Sequence, residues 1–168
     1  PPVELELPDG RKLNVTGRID RIDRLAAGSL VGVDYQTGSS FSFTEKSRIY
    51  DGGRRLQHAL YAKAAEQLFG ARVARAEYHF PSRKSQNHRA KYEAAQLRDG
   101  MLLVSTLLDF VANGWFVPTN VPDDCKFCDY ALACRTTVNQ YGKVVSAMAE
   151  WSREADGDAI DMMRLMRR

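Results

Sequence analysis

Alternating apolar and polar positions in the first part of the chain predict β-strands. Residues 3–7 alternate and reach the turn Pro8-Asp9-Gly10, residues 12–24 alternate again, and an apolar run at 30–36 ends at Thr37-Gly38. Apolar side chains at every second position are typical of strands with one face on a core. Three such runs joined by short turns predict an antiparallel meander.

The spacing of apolar residues becomes helical after a polar, glycine-marked loop at 39–53. The later elements predicted are a helix at 54–69 ending at Gly70, strands at 73–80 and 89–94, a helix at 96–113 ending at Gly114, and a last helix from near Gln140 that Gly157 interrupts. This order predicts an α/β (α+β) fold with a mixed, partly antiparallel central sheet flanked by helices.

The chain has 168 residues, 44% of them hydrophobic, which is enough for one sizeable core. We expect one domain over residues 1–135 and a C-terminal helical extension over 136–168. No apolar run is long enough to span a bilayer and no signal peptide is evident, so a cytoplasmic protein is expected, with no membrane partner. The chain starts at Pro1 and enters a strand pattern at once, which suggests a piece of a longer polypeptide. A net charge of +3 does not by itself indicate nucleic-acid binding.

Two aspartates are expected to converge at one end of a strand pair. Asp34 interrupts the apolar run at 31–35, and Asp20 lies on the preceding strand, which can pair with this one across a short turn. Burying a carboxylate is costly unless a partner such as a divalent cation compensates the charge. The alternative is ion pairing with neighbouring arginines. We assign that role to Asp23, because its strand parity is opposite to that of Asp20.

Strand alternation distributes the residues around Asp34 over two faces. Gln36 shares the face of Asp34, whereas Val33 and Tyr35 are expected to point the other way, toward a covering helix. One end of the hairpin would thus combine two carboxylates and one amide.

These residues stand in a context that resembles the PD-(D/E)XK nuclease superfamily, and within it the RecB/AddB-type nuclease domains and CRISPR-adaptation exonucleases. The RecB-type pattern is a Gly-x-x-Asp-Arg strand followed by Asp-Tyr-Lys-Thr-Gly; the chain has Gly17-Arg18-Ile19-Asp20-Arg21 and Asp34-Tyr35-Gln36-Thr37-Gly38. The Gln-x-x-x-Tyr signature of the family follows at Gln57 and Tyr61, one helical turn apart on one face. The resemblance covers about residues 12–135 and implies a restriction-endonuclease-like core.

The resemblance implies a metal-dependent DNA exonuclease domain of a DNA repair or recombination protein, which hydrolyses phosphodiester bonds. Asp20, Asp34 and the backbone carbonyl of Tyr35 would bind Mg²⁺ or Mn²⁺. Gln57 and Tyr61 would join the two aspartates and position 36 in the catalytic set. The implied partners are DNA, bound with little sequence specificity, and a helicase domain or subunit.

Gln36 occupies the position of the family lysine, and its neutral amide can hold water but supplies no positive charge. Three explanations stay open: natural inactivity, deliberate replacement, or a cation from elsewhere, for which Lys46 and Lys63 are candidates. The family histidine that often precedes the first strand has no counterpart among His58, His79 and His88. The alternative function is an inactive nuclease-fold module that binds DNA or a partner subunit. A metal- or cluster-binding domain without a nucleic-acid role would leave the aspartates unexplained.

Three cysteines, Cys125, Cys128 and Cys134, have the spacing C-x₂-C-x₅-C. Clustered thiolates in a cytoplasmic chain favour metal ligation over disulfides, and zinc would need a fourth ligand that no nearby histidine provides. The resemblance implies a [4Fe–4S] cluster whose fourth cysteine lies upstream of the nuclease core. This chain has no such cysteine, so either the fourth ligand lies outside it or it holds no cluster. Three ordinary small buried residues are the remaining alternative.

The segment 82–91 carries four positive charges and no acidic residue: Arg83, Lys84, Arg89 and Lys91. Such a segment is either a solvated hairpin tip or a surface that contacts DNA phosphates. These four residues are therefore the DNA-binding candidates.

Overall fold

The computed structural model describes residues 2–43, 49–119, 122–126 and 128–166. The chain forms two compact units, Pro1–Leu108 and Asp109–Arg168. The predicted domain boundary at residue 135 stays a prediction. Among the described residues, no helix combines the length and the apolar character needed to cross a membrane.

The first unit is built on a four-stranded mixed sheet in the order β3-β4-β5-β6, beside a separate β1–β2 hairpin. Strand β4 is antiparallel to β3 and parallel to β5, and β6 is antiparallel to β5. The mixed, partly antiparallel sheet expected from the sequence is therefore confirmed. The strands are β1 (Val3–Glu6), β2 (Lys12–Val15), β3 (Arg21–Arg24), β4 (Leu30–Tyr35), β5 (Val73–Phe80) and β6 (His88–Glu93).

The predicted three-stranded meander is wrong, because the run at 12–24 is two strands rather than one. Strand β2 ends at Val15 and β3 begins at Arg21, so Asp20 lies just before a strand and not inside it. Between them Gly17 lies against the ring of Tyr61: a Cβ built on Gly17 would be 3.1 Å from the Tyr61 hydroxyl. The segment between β2 and β3 thus runs past the helix that carries Tyr61, and it connects the β1–β2 hairpin to the four-stranded sheet.

Two helices, α1 (Gln57–Phe69) and α2 (Ala94–Ala112), occupy the positions that the apolar spacing predicted. Gly70 ends α1 in the left-handed conformation (φ 59°), and its N–H donates to the carbonyl of Glu66, as is common where glycine follows a helix. Helix α1 buries the small side chains of Ala59, Ala62 and Ala65. A helix with small buried residues can approach a sheet or another helix closely.

Helix α1 covers the face of β4 that carries Asp34. Ala62 and Ala65 pack in one cluster with Leu30, whose side chain shares the Asp34 face by strand alternation. Tyr35, on the other face, is 41% exposed. The prediction that the covering helix lies over Val33 and Tyr35 is therefore wrong for α1.

The second unit contains a β-hairpin where the sequence predicted the start of a helix. Strands β7 (Thr136–Val138) and β8 (Val144–Ser146) pair antiparallel, and helices α3 (Ala147–Glu154) and α4 (Asp158–Met166) follow. The side chain of Asn139 accepts hydrogen bonds from the N–H groups of Tyr141 and Lys143 and closes the hairpin turn. This local competition of a side chain with helical bonding explains why the helix does not begin near Gln140. The predicted break at Gly157 (φ 127°) is confirmed.

We expect Gly100→Ala to lower the free energy of unfolding by about 1–3 kcal/mol, the usual cost of overpacking a core. A Cβ on Gly100 of α2 would lie 2.9 Å from Cε1 of Tyr50, and closer still to Cβ of Ala59 on α1. Urea denaturation of the purified protein measures the effect. The matched control is Ala59→Gly with Gly100→Ala, which moves the methyl group across the contact and should recover part of the loss. A single Gly100→Ala protein as stable as the parent would contradict the close approach.

Candidate active site

The two aspartates converge at one end of β3 and β4. Asp34 is the penultimate residue of β4 and is half-buried. Asp20 accepts a hydrogen bond from the backbone N–H of Tyr35 at 2.9 Å, which ties the segment before β3 to the end of β4. Burial raises the pKa of the Asp34 carboxyl; the hydrogen bond from Gln36 opposes this rise, and the charge of Asp20 adds to it. The ionised form of Asp34 therefore carries an energetic cost that a cation would relieve.

Both oxygens of Asp34 face amide donors. The Gln36 amide donates to Oδ2, and the Gln57 amide donates to Oδ1 at 3.5 Å. Gln57 is the first residue of α1, so the position of the helix on the Asp34 face is what brings this amide to the carboxylate. The side chain at position 36 reaches the same carboxylate, and a lysine there would bring its ammonium to the same place.

Tyr61 lies one turn after Gln57 and lines a cavity together with Asp34 and Ile19. Its ring is the neighbour of Gly17, the first residue of the Gly-x-x-Asp-Arg pattern. Any side chain at position 17 would press on that ring, which gives this glycine a packing role. Tyr61 makes no hydrogen bond to either aspartate within the described part of the chain, so it lines the site without contacting the carboxylates through its hydroxyl.

His58 is a part of the site that the sequence pattern did not reveal. It is buried, lines the same cavity and is hydrogen-bonded to the hydroxyl of Tyr78 at 3.3 Å. Its ring packs on Tyr50 and Tyr92, with centroid distances of 5.2 and 4.4 Å. Burial lowers the pKa of His58 to about 4, with a further contribution from the charge of Arg55. The imidazole is therefore neutral at pH 7 and holds the first turn of α1 by packing against these rings. Its aromatic neighbours come from separate segments of the chain, so residue spacing does not indicate this cluster.

The donor set fits a hard divalent cation. Carboxylate oxygens of Asp20 and Asp34 and the backbone carbonyl of Tyr35 are the ligand types that Mg²⁺ and Mn²⁺ prefer. Burial raises the pKa of Asp34 and the neighbouring carboxylate of Asp20 adds to the rise, so a bound cation would stabilise the ionised form. Among the described residues no three His, Cys, Asp or Glu side chains come close enough to hold a metal ion. The site would thus use two carboxylates, a carbonyl and water.

Of the two candidate replacement lysines, Lys63 is described by the structure and does not line this site. Lys63 lines a separate groove, together with Glu6 and Arg98. Lys46 lies outside the described residues.

The three cysteines lie in the second unit and are not gathered into a ligand cluster. Cys125 is buried, Cys128 is exposed and Cys134 is intermediate. They form no metal-sized group with other His, Cys, Asp or Glu side chains of the described segments. The iron–sulfur assignment stays a prediction.

The basic segment forms the turn between β5 and β6 and the start of β6. Arg83 and Lys84 are exposed in the turn, with no ion-pair partner among the residues that the structure describes. Arg89 pairs at 3.0 Å with Glu77, which is buried and also pairs with Arg75 at 2.6 Å. Burial of Glu77 raises the pKa of its carboxyl, but the two arginines more than offset this and leave the pKa lowered. Arg89 is therefore engaged in the fold, and Arg83 and Lys84 are the better placed candidates for contacting phosphate.

A family model of the PD-(D/E)XK nuclease superfamily matches residues 1–135. The chain belongs to the PD-(D/E)XK nuclease superfamily. Membership confirms the restriction-endonuclease-like fold class, and the superfamily generally comprises metal-dependent nucleases that act on DNA. No curated protein and no solved structure matches the chain significantly.

We expect Asp34→Asn to stabilise the metal-free protein, on the order of 1 kcal/mol, because it removes a buried carboxylate whose ionisation is costly, as is common at active sites. Because the folded pKa of Asp34 is raised, its ionisation costs stability as pH rises through that pKa and costs nothing below the unfolded value. The advantage of the variant should thus grow from acid to neutral pH. Thermal unfolding in EDTA at several pH values measures it.

We expect Mn²⁺ to stabilise the parent protein, and we expect the same variant to lose this stabilisation. The matched control is Asp23→Asn, whose carboxylate pairs with Arg21 at 2.8 Å; it should keep the Mn²⁺ effect. An Asp34→Asn protein that Mn²⁺ stabilises as much as the parent would rule out Asp34 as a ligand.

Proposed function

We propose that this chain is a Mg²⁺- or Mn²⁺-dependent DNA exonuclease domain of the RecB/AddB type, in which Gln36 stands in place of the usual lysine. The observation that carries the proposal is the convergence of Asp20, Asp34, Gln36 and Gln57 at the end of β4 and the start of α1, in a chain of this superfamily.

In the proposed mechanism, Asp20, Asp34 and the Tyr35 carbonyl would hold the cation, and the cation would supply activation of water and neutralisation of charge on the scissile phosphate. The chain's own hydrogen bonds orient these ligands. The Tyr35 N–H holds Asp20, and the Gln57 amide holds one oxygen of Asp34. The carboxylates are therefore largely positioned before any substrate binds, which lowers the reorganisation needed in the reaction.

Gln36 is the residue of this proposed catalytic set that departs from the family pattern. Its amide can orient a water molecule by hydrogen bonding, but it places no positive charge beside the phosphate. Removing a single preorganised electrostatic contact typically costs a factor of about 10²–10³ in rate. We therefore expect slow turnover by the chain as it stands.

We expect Gln36→Lys to raise cleavage of labelled single-stranded DNA in Mn²⁺ by about 10²–10³-fold. The lysine would restore a cation at a position whose side chain already reaches Asp34. Gln36→Met, similar in length but uncharged, is the matched control and should gain nothing. Adding Asp34→Asn to Gln36→Lys should abolish the gain.

Two results of this assay would count against the proposal. Equal cleavage by the parent and Gln36→Lys proteins would mean that Gln36 does not limit the reaction. Absence of cleavage by both proteins would remove the nuclease assignment for this chain.

The second candidate function is a catalytically inactive module that binds DNA or a partner subunit. It is favoured by the two amides that already satisfy the oxygens of Asp34 without a cation.

Under either function we propose a helicase domain or subunit as partner. We also propose a [4Fe–4S] cluster with Cys125, Cys128 and Cys134 as three of its ligands and a structural rather than a redox role.

We expect Arg83→Ala with Lys84→Ala to weaken single-stranded DNA binding and to reduce the slope of log affinity against log salt by about 1.4, since each lost phosphate contact on a single strand contributes about 0.7. Both side chains are exposed in the β5–β6 turn. Fluorescence anisotropy over a salt series in EDTA measures the slope. Lys63→Ala with Arg72→Ala, which removes the same charge from the separate groove, is the control. An equal change of slope in both double variants would show a general charge effect instead of a local contact.

A further inference from the structure

The ring of Tyr35 is the exposed aromatic group next to the candidate metal ligands. It follows Asp34 directly along β4 and points to the opposite face of the sheet, where it is 41% exposed. The backbone carbonyl of Tyr35 belongs to the proposed metal site, but the nuclease mechanism assigns no role to the ring. A large aromatic surface at this position calls for a physical explanation.

Two contacts hold the ring in place. Its hydroxyl accepts a hydrogen bond from Nη1 of Arg21 at 3.3 Å, and its ring lies 5.3 Å from the imidazole of His79 with an interplanar angle of 44°. His79 is 8% exposed, and its backbone carbonyl accepts the N–H of Gln36 at 2.8 Å. The Tyr35 ring and the strand that carries it are thus already held in place. The Tyr35 side chain therefore loses little conformational entropy when a ligand binds to the ring.

The same contacts join the ring to the basic turn. Nε2 of His79 is hydrogen-bonded at 2.6 Å to Oδ1 of Asn87, which adopts the left-handed conformation in the β5–β6 turn (φ 56°). Ser85 of that turn donates to the carbonyl of Gly38 at 3.4 Å, beyond the end of β4. The turn that carries Arg83 and Lys84 is therefore attached to the end of the sheet where Tyr35 lies. Aromatic surface and positive charge occur together there, as in proteins that bind single strands.

We propose that the Tyr35 ring is a stacking platform for one unpaired base of the substrate, with Arg83 and Lys84 contacting the neighbouring phosphates. The inference rests on the proposed DNA-processing function and makes it more specific, because a base is free to stack on a protein ring only where it is not inside a duplex. It assigns single-stranded DNA, or a single-stranded end, as the substrate class. A purely structural Tyr35 would affect stability without discriminating between single and double strands.

The first test compares DNA affinities of the parent, Tyr35→Leu and Tyr35→Phe proteins in EDTA, where no cleavage occurs. Leucine keeps an apolar side chain beside His79 and leaves the backbone carbonyl of residue 35 in place, but it removes the aromatic face. We expect Tyr35→Leu to bind a short single-stranded oligonucleotide about 5- to 150-fold more weakly, the range for loss of one base–aromatic stack. Affinity for the blunt duplex of the same sequence should be unchanged. Tyr35→Phe keeps the ring and should bind within about twofold of the parent, the small difference left when stacking is intact.

A second test locates the stacked base. A series of oligonucleotides, each lacking one base, should show one position at which the parent protein binds more weakly and Tyr35→Leu does not respond. This scan needs no activity, and in the parent protein alone it still reports a stacked base if the leucine variant does not fold. Equal loss of single-strand and duplex binding in Tyr35→Leu, or identical scans for both proteins, would overturn the platform.

The tests separate failure of the platform from failure of the proposed function. A parent protein that binds single strands through Arg83 and Lys84 but is insensitive to Tyr35→Leu would overturn the platform and leave the proposed function standing. A parent protein that binds no DNA would overturn both.

Discussion

The candidate site depends on the contact between the half-buried carboxylate of Asp34 on β4 and the first turn of α1. Helix α1 can approach this strand closely because most of its buried residues are alanines, and Gly100 of α2 leaves room for Ala59 on the side of α1 that contacts α2. The close approach brings the Gln57 amide to 3.5 Å from Asp34. It also removes water from the carboxylate, which raises its pKa. Packing of small residues thus sets both the geometry of the site and its demand for positive charge.

The sequence predicted those parts of the fold that depend on local periodicity. Strands β4 and β5 and helices α1 and α2 follow directly from the spacing of their apolar residues. The break between β2 and β3 could not be predicted in this way, because the segment between them packs against Tyr61, far along the chain. The hairpin at 136–146 depends on side-chain hydrogen bonds of Asn139, which compete with a helix pattern that is otherwise plausible.

The candidate site shows the same division between local and long-range information. Pairing of the neighbouring strands predicted that Asp20 and Asp34 converge, and the hydrogen bond from the Tyr35 N–H to Asp20 agrees with it; their role as metal ligands stays a prediction. Strand alternation alone did not show that α1 covers the Asp34 face. The role of Arg89 was hidden for a similar reason, since its partner Glu77 lies on the neighbouring strand, and a buried carboxylate between two arginines cannot be inferred from a basic run. His58 is buried among tyrosines from three separate segments, and only the folded chain brings them together.

Alternation along β4 places the candidate catalytic residues on one face of the sheet and the candidate base-binding residue on the other. Asp34 and Gln36 face α1, and the ring of Tyr35 between them faces the other side, where it joins His79 and the basic turn. Contacts on that second face do not depend on the charge at position 36. A change from lysine to glutamine can therefore remove much of the electrostatic contribution to catalysis while it leaves a surface for single strands intact. The two candidate functions then share one binding mode, and they differ in the charge that a single side chain presents to Asp34.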